Sequence, residues 1–157
     1  MEIKILLHGK TEEKYLQEGI NKYLQRMARY IKIAEMVISP PKNAKSLSVF
    51  DIKQKEGEQL LAKLKPGDIL ILLDDKGMQF DSSDFAEFLQ KQMNQSIKTL
   101  IFAVGGAFGF SNEVYSRANF KLSLSKMTFS HQIIRLIFAE QLYRAFTILN
   151  NEPYHHE

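Results

Sequence analysis

The stretch SLSKMTFSHQ, Ser123 to Gln132, mixes small hydroxyls with a methionine, a lysine and a histidine. It begins like the end of a buried strand and finishes like the start of a helix. Ser125, Thr128 and Ser130 can each cap the helix that follows. Backbone N–H and C=O groups at a strand end can read an adenine edge, and Leu124, Met127 and Phe129 can wall an apolar slot for its ring. Ser130 beside His131 invites a hydrolase reading. The G-x-S-x-G elbow is absent, however, and the two residues are adjacent, so that chemistry is set aside.

Two further loops carry suitable groups. VGGAFG places Gly105, Gly106 and Gly109 between a strand and a helix, where a backbone can approach a ligand closely. It is not G-x-G-x-x-G and has no Walker lysine, so phosphate binding there has little support. LLDDKG ends a strand with Leu73, Asp74 and Asp75. The two carboxylates suit a ribose or solvent, but no clustered histidine or third carboxylate argues for a metal. Near the C-terminus Glu140 and Arg144 stand i, i+4, the spacing of an ordinary surface ion pair. Arg135 lies within about one turn of the SLSKMTFS loop and is the expected phosphate contact. The tail NNEPYHHE adds Tyr154 and His155 as groups that can complete a site.

These loops need a scaffold. The chain has 157 residues, which fits a single domain over 1–157 able to bury a core without staples. It has no cysteine, which excludes disulfides and thiolate metal sites. The apolar run Ile5–Leu7 is too short for a signal peptide or a membrane span, and the expectation is a soluble protein. The formal charge of +3 is small. From Arg117 to Arg144, however, Arg117, Lys121, Lys126, Arg135 and Arg144 are opposed only by Glu140, and such a local basic surface can bind phosphates.

Strand and helix patterns alternate. EIKILLHG, IKIAEMVIS, ILILLDD, KTLIFAV and FKLSLS read as strands. Helices are expected from Thr11, as a cap, through about Tyr30, then over Leu47–Leu64, DSSDFAEFLQKQM, FSNEVYSRA and HQIIRLIFAEQLYRAFTIL. KNAKS reads as a polar loop, and the third strand is expected to stop at Asp74 and Asp75. The central strands are apolar on both faces, which implies a mostly parallel sheet sandwiched by helices. In such sheets ligands bind beyond the carboxyl ends of strands, where all three loops lie.

LDDKG, FAVGGAFGF, SLSKMTFSHQIIRLIFAEQLYRAF and the terminal PYHHE resemble the RlmH family of SPOUT-class methyltransferases, along the whole chain and most specifically from Leu100 to His155. The resemblance implies an α/β-knot fold with a C-terminal deep trefoil knot, a path that general folding rules would reject. It implies S-adenosylmethionine as cofactor, held by Leu73, Gly105, Leu124, Ser125, Lys126, Met127, Thr128 and Phe129. It implies a homodimer in the cytoplasm. The substrate would be 23S ribosomal RNA within the ribosome, methylated on the ring nitrogen at position three of a pseudouridine. Arg135, Arg144, Tyr154 and His155 would lie near the RNA, and His155, with Glu140 behind it, would take the proton. The ending HHE departs from the shorter basic ending of the family. The competing readings are a flavodoxin-like nucleotide-binding module using VGGAFG and a non-catalytic ribosome-binding factor.

Overall fold

In the computed structural model, residues 1–155 are described. His156 and Glu157, which end the PYHHE segment, lie outside the described residues. Five strands form one sheet: β1 (Glu2–His8), β2 (Lys32–Ile38), β3 (Ile69–Gln79), β4 (Thr99–Val104) and β5 (Phe120–Ser123). Their spatial order is β2-β1-β4-β3-β5, and every pairing is parallel. The helices are α1 (Lys14–Met27), α2 (Val49–Leu61), α3 (Ser82–Asn94), α4 (Asn112–Arg117) and α5 (Ile133–Leu149).

Alternation along the strands divides the core in two. Ile3, Ile5 and Leu7 of β1, with Leu100, Phe102 and Val104 of β4, face α1, α3 and α5. Leu6, Ile101 and Ala103 face the other way, toward Leu60 of α2 and Val114 of α4. Both faces are covered by helices, as the apolar strand patterns require. Phe102 and Phe138 meet at 4.7 Å between ring centroids and join the sheet to α5.

Several local expectations are corrected. Thr11 does not cap α1. Its hydroxyl accepts from Arg135 Nη1 at 3.1 Å, and Glu13 stands at the cap position with no side-chain bond. KNAKS contains a short 3-10 helix over Ala44–Ser46. α2 is shorter than Leu47–Leu64 because Ser48 caps it, accepting from the Asp51 amide at 3.1 Å. Asp81 caps α3 in the same way, accepting from the Asp84 amide at 2.7 Å.

The third strand runs past Asp75. β5 pairs with both sides of an irregularity in β3: Leu122 is the partner of Leu73 and again of Met78. Residues 74–77 therefore bulge around the Leu122 backbone. A Cβ on Gly77 would lie 2.6 Å from Leu122 N and C. Backbone cannot yield as a flexible side chain does, so Gly77→Ala is expected to cost about 3 kcal/mol. At roughly 2–4 °C per kcal/mol for a domain of this size, the melting temperature falls by roughly 6–12 °C. Thermal unfolding by circular dichroism checks this, and an unchanged midpoint excludes the close approach.

Candidate cofactor site

The three loops singled out in the sequence converge. A cavity of about 430 Å³ lies beyond the carboxyl ends of β3, β4 and β5. Leu73 lines it from β3 and Gly105 from the loop after β4. Leu124, Ser125, Met127, Thr128 and Phe129 line it from the loop after β5. Lys126 is exposed and lies outside this lining.

Local bonds fix the shape of the last loop. Ser123 Oγ donates to Ser125 O at 2.8 Å and accepts from Gln79 Nε2 at 3.3 Å. Ser125 Oγ accepts from the Met127 amide at 2.9 Å, which turns the chain back at once. Ser130 Oγ accepts from the Ile133 amide at 3.2 Å and starts α5. The hydroxyls of Ser123, Ser125 and Ser130 are thus shaping groups, and they leave the apolar side chains to form walls. Met127, 77% exposed, and Phe129 stand at the mouth.

At the rim, Asp74 Oδ1 accepts from the Lys76 amide at 2.9 Å, and Asp74 Oδ2 accepts from the Tyr115 hydroxyl. Burial, then the Asp74 bond, holds the Tyr115 phenol protonated far above its ordinary range. Tyr115 was not expected from the sequence. One tyrosine in a short helix carries no motif, and only the fold sets it opposite Asp74, 41 residues away. His131 and Ile134 also line the cavity where α5 begins.

VGGAFG does not offer a free helix terminus. α4 spans six residues, and Ser111 Oγ already accepts from the Val114 amide at 3.4 Å. Gly109 takes a positive φ of 77°, and the loop closes on itself as Gly109 N donates to Gly106 O at 3.2 Å. The Gly109 and Val114 amides, two donors a phosphate would use, are thus already taken, which speaks against the nucleotide module.

Arg135 departs from its expected role. It is 2% exposed, and its guanidinium is consumed within the fold. Nε donates to His131 O at 3.0 Å, Nη1 to Gly9 O and Thr11 Oγ1 at 3.1 Å, and Nη2 to His8 O at 2.8 Å. It ties the β1–α1 loop to α5 and presents no face to a phosphate.

Glu140, Arg144, Tyr154 and His155 form a second group on α5 and the tail, outside the cavity lining. Arg144 Nη2 meets Glu140 Oε1 at 2.6 Å with both side chains mostly buried, so this is more than a surface pair. The Tyr154 hydroxyl donates to the same oxygen at 3.2 Å, and Arg144 lies 4.8 Å from the Tyr154 ring centroid. Arg144 Nη1 and His155 Nδ1 are 3.5 Å apart. Burial holds the Tyr154 phenol protonated, reinforced by a hydrogen bond with Tyr23 and by the Glu140 charge. The two expected proton acceptors thus flank one arginine, outside the lining of the cavity.

An all-parallel sheet with a cofactor-sized cavity beyond its strand ends defines a ligand-binding α/β protein. Residues 1–155 match the family described as "Predicted SPOUT methyltransferase". Proteins named "Ribosomal RNA large subunit methyltransferase H" are 55% identical in Parabacteroides distasonis and 54% identical in Flavobacterium psychrophilum, each over 100% of both chains. The solved structure of a probable methylase family protein from Haemophilus influenzae aligns with TM-score 0.52 at 15% identity, over 95% of this chain and 66% of that one, and supports the fold. The chain belongs to the SPOUT methyltransferase family and, within it, to the group of the ribosomal RNA large subunit methyltransferases H. Membership implies a methyl-donor cofactor. Among the described residues no helix is long and apolar enough to cross a membrane, and no three His, Cys, Asp or Glu gather as for a metal.

Proposed function

We propose that this protein transfers the methyl group of S-adenosylmethionine to the ring nitrogen at position three of a pseudouridine in 23S ribosomal RNA, on assembled ribosomes in the cytoplasm. The observation that carries the reading is the convergence of Leu73, Gly105 and the Leu124–Phe129 loop on one cavity. Its volume suits a nucleoside-sized ligand. Its walls offer what that ligand needs: apolar faces for an adenine, a backbone turn for the base edge, and carboxylates at Asp74 and Asp75 for hydroxyls or an amine. Bound there, the cofactor supplies a methyl group on an electrophilic sulfonium. The residues of the chain orient it, exclude water and position the RNA base, and such positioning carries much of the rate in a displacement of this kind.

A homodimer belongs to this reading. The cavity mouth carries exposed Met127 and Phe129, with Phe108 47% exposed on the glycine loop, and a second protomer can cover them. A dimer can also bring the Arg144, Tyr154 and His155 group of one chain to the cavity of the other, where its cations can meet RNA phosphate. The deep knot is part of the same reading. It is supported by the irregularity in β3, where residues 74–77 stand off from the pairing with β5 and Leu122 is the partner of both Leu73 and Met78.

Methyl transfer from radiolabelled S-adenosylmethionine to assembled ribosomes, free large subunits and naked ribosomal RNA, with the product nucleoside identified by mass, tests the reading. Label in methylated pseudouridine is expected. Cofactor binding without label would favour a ribosome-binding factor, and binding of ATP or a flavin instead would favour the nucleotide module.

The tail provides a separate prediction. Removing Tyr154–Glu157 leaves the cavity lining intact but strips Glu140 and Arg144 of their aromatic cover. Cofactor affinity measured by calorimetry is expected to stay unchanged, while methylation of ribosomes falls about 100-fold, the size of effect that misplacement by about 1 Å produces. Full activity of the truncated chain would show the tail to be inert.

A further inference from the structure

A second cavity, of about 450 Å³, lies beyond the ends of β1 and β2. Gly106, Ala107 and His131 line both cavities, so the His131 imidazole stands where they meet. Behind it are His8 and Glu56, which line the second cavity.

His8 is buried, and its Nε2 lies 3.1 Å from Glu56 O. A carbonyl only accepts, so Nε2 carries the hydrogen, and Nδ1 is left as the ring's second site for a proton. Among the described residues that buried atom has no hydrogen-bond partner, and neither has buried Glu56 Oε2. The Glu56 carboxyl lies tight against Gly106, where a Cβ would come within 2.7 Å of Oε2. Burial raises the Glu56 carboxyl above the usual range, and positive charge on His8 or His131 draws it back down. The other charged groups here are Lys10 and Glu12 on the cavity wall, with Arg135 donating to His8 O and Gly9 O. β2 contributes Val37 to the wall, and Ser39 and Pro40 follow it there. Two orphaned polar atoms in a buried site are expensive unless they have a task.

We propose that His131 accepts the proton displaced from the target ring nitrogen, with Glu56 and His8 in the adjoining cavity as the pair that balances and passes on its charge. This rests on the methyl-transfer reading above. The ring N–H bond breaks and its proton goes to an imidazole nitrogen of His131. The electron pair left on the ring nitrogen forms the new N–C bond, and the pair of the broken C–S bond stays on sulfur. Positive charge arriving on His131 favours the ionised Glu56 carboxylate, which balances it until the proton leaves through the second cavity. His131 is the catalytic residue, and Glu56 and His8 position and tune it.

Two measurements test this. Single-turnover methylation of ribosomes is followed from pH 6 to 9 for the unaltered protein, His131→Asn, Glu56→Gln and His155→Ala. His131→Asn is expected to slow transfer about 10²–10⁴-fold and to abolish the rise of rate with pH. Glu56→Gln removes an anion beside the imidazole, so the inflection moves to lower pH as the rate falls. If His131→Asn keeps rate and inflection while His155→Ala loses both, the acceptor is His155 and the proposal is overturned. NMR titration of the imidazoles and side-chain carboxyls in the free, unaltered protein supplies the second readout and needs no folded variant. Glu56 and His131 are expected to share an inflection, and independent titration overturns the coupling. An unaltered protein that methylates no ribosomal substrate removes the underlying reading. An active protein with unmoved variants removes only the present proposal.

Discussion

Arg135→Met is expected to destabilise the protein by about 3–4 kcal/mol, the largest stability loss of any single substitution considered. Methionine fills much of the same space but offers no donor. His8 O, Gly9 O and His131 O then lose charge-assisted partners in a site where the side chain is 2% exposed. Hydrogen bonds to charged groups contribute about 1.5–3 kcal/mol each, and members of one network are not additive. Chemical denaturation read by far-ultraviolet circular dichroism gives the value, and thermal melting is expected to fall by roughly 6–16 °C. Arg135→Lys is expected to recover only part of the loss, since one ammonium cannot reproduce the planar fork that reaches acceptors on two segments. A lysine variant as stable as the original would show that charge alone holds the contact.

Gly105→Val is expected to abolish measurable cofactor binding while the protein stays folded. Gly105 lines the cavity, and a Cβ there would already lie 3.3 Å from Phe110 Cζ and 3.4 Å from Gly109 Cα. The added methyls of valine can only displace Phe110 or enter the cavity. Overpacking of this kind costs about 1–3 kcal/mol, and each 1.4 kcal/mol is tenfold in affinity. Loss of ligand volume and of backbone approach adds to that, so a fall of at least about 100-fold is expected in calorimetry. Gly105→Ala is expected to give a smaller loss. Unchanged affinity in the valine variant would move the cofactor to another place on the protein.

What the sequence showed follows from what is local. Alternating apolar strands and amphipathic helices are written in neighbouring residues, so the parallel sheet and its helical cover were legible. The three ligand loops were legible for the same reason, since each begins where a strand pattern stops. The misses are all long-range. Arg135 looked like a phosphate contact because it sits one turn from a loop; its acceptors at His8, Gly9 and Thr11 are more than 120 residues away in the chain. β3 outran its own pattern because Leu122 pairs with it beyond Asp75. Glu140 and Arg144 read as a surface pair because nothing in i, i+4 spacing reveals a tyrosine folding back from the tail. His8 and Glu56 went unnoticed because 48 residues separate them and neither belongs to a motif. The overlap of family motifs with the observed cavity is where local pattern and tertiary placement agree.

The placement of α5 also governs when this chain can fold. Phe138, Leu142, Tyr143, Ala145 and Phe146 supply a large part of the core on one face of the sheet. Arg135 binds the loop after the first strand, which itself pairs in the middle of the sheet. Chains generally fold domain by domain as they are synthesised, at about 5–20 residues per second. Here the cover that α1 and α3 begin over the first strand is completed only when α5 has been made. A nascent chain stalled within α5 therefore lacks the side chains that complete this face and cannot close its core.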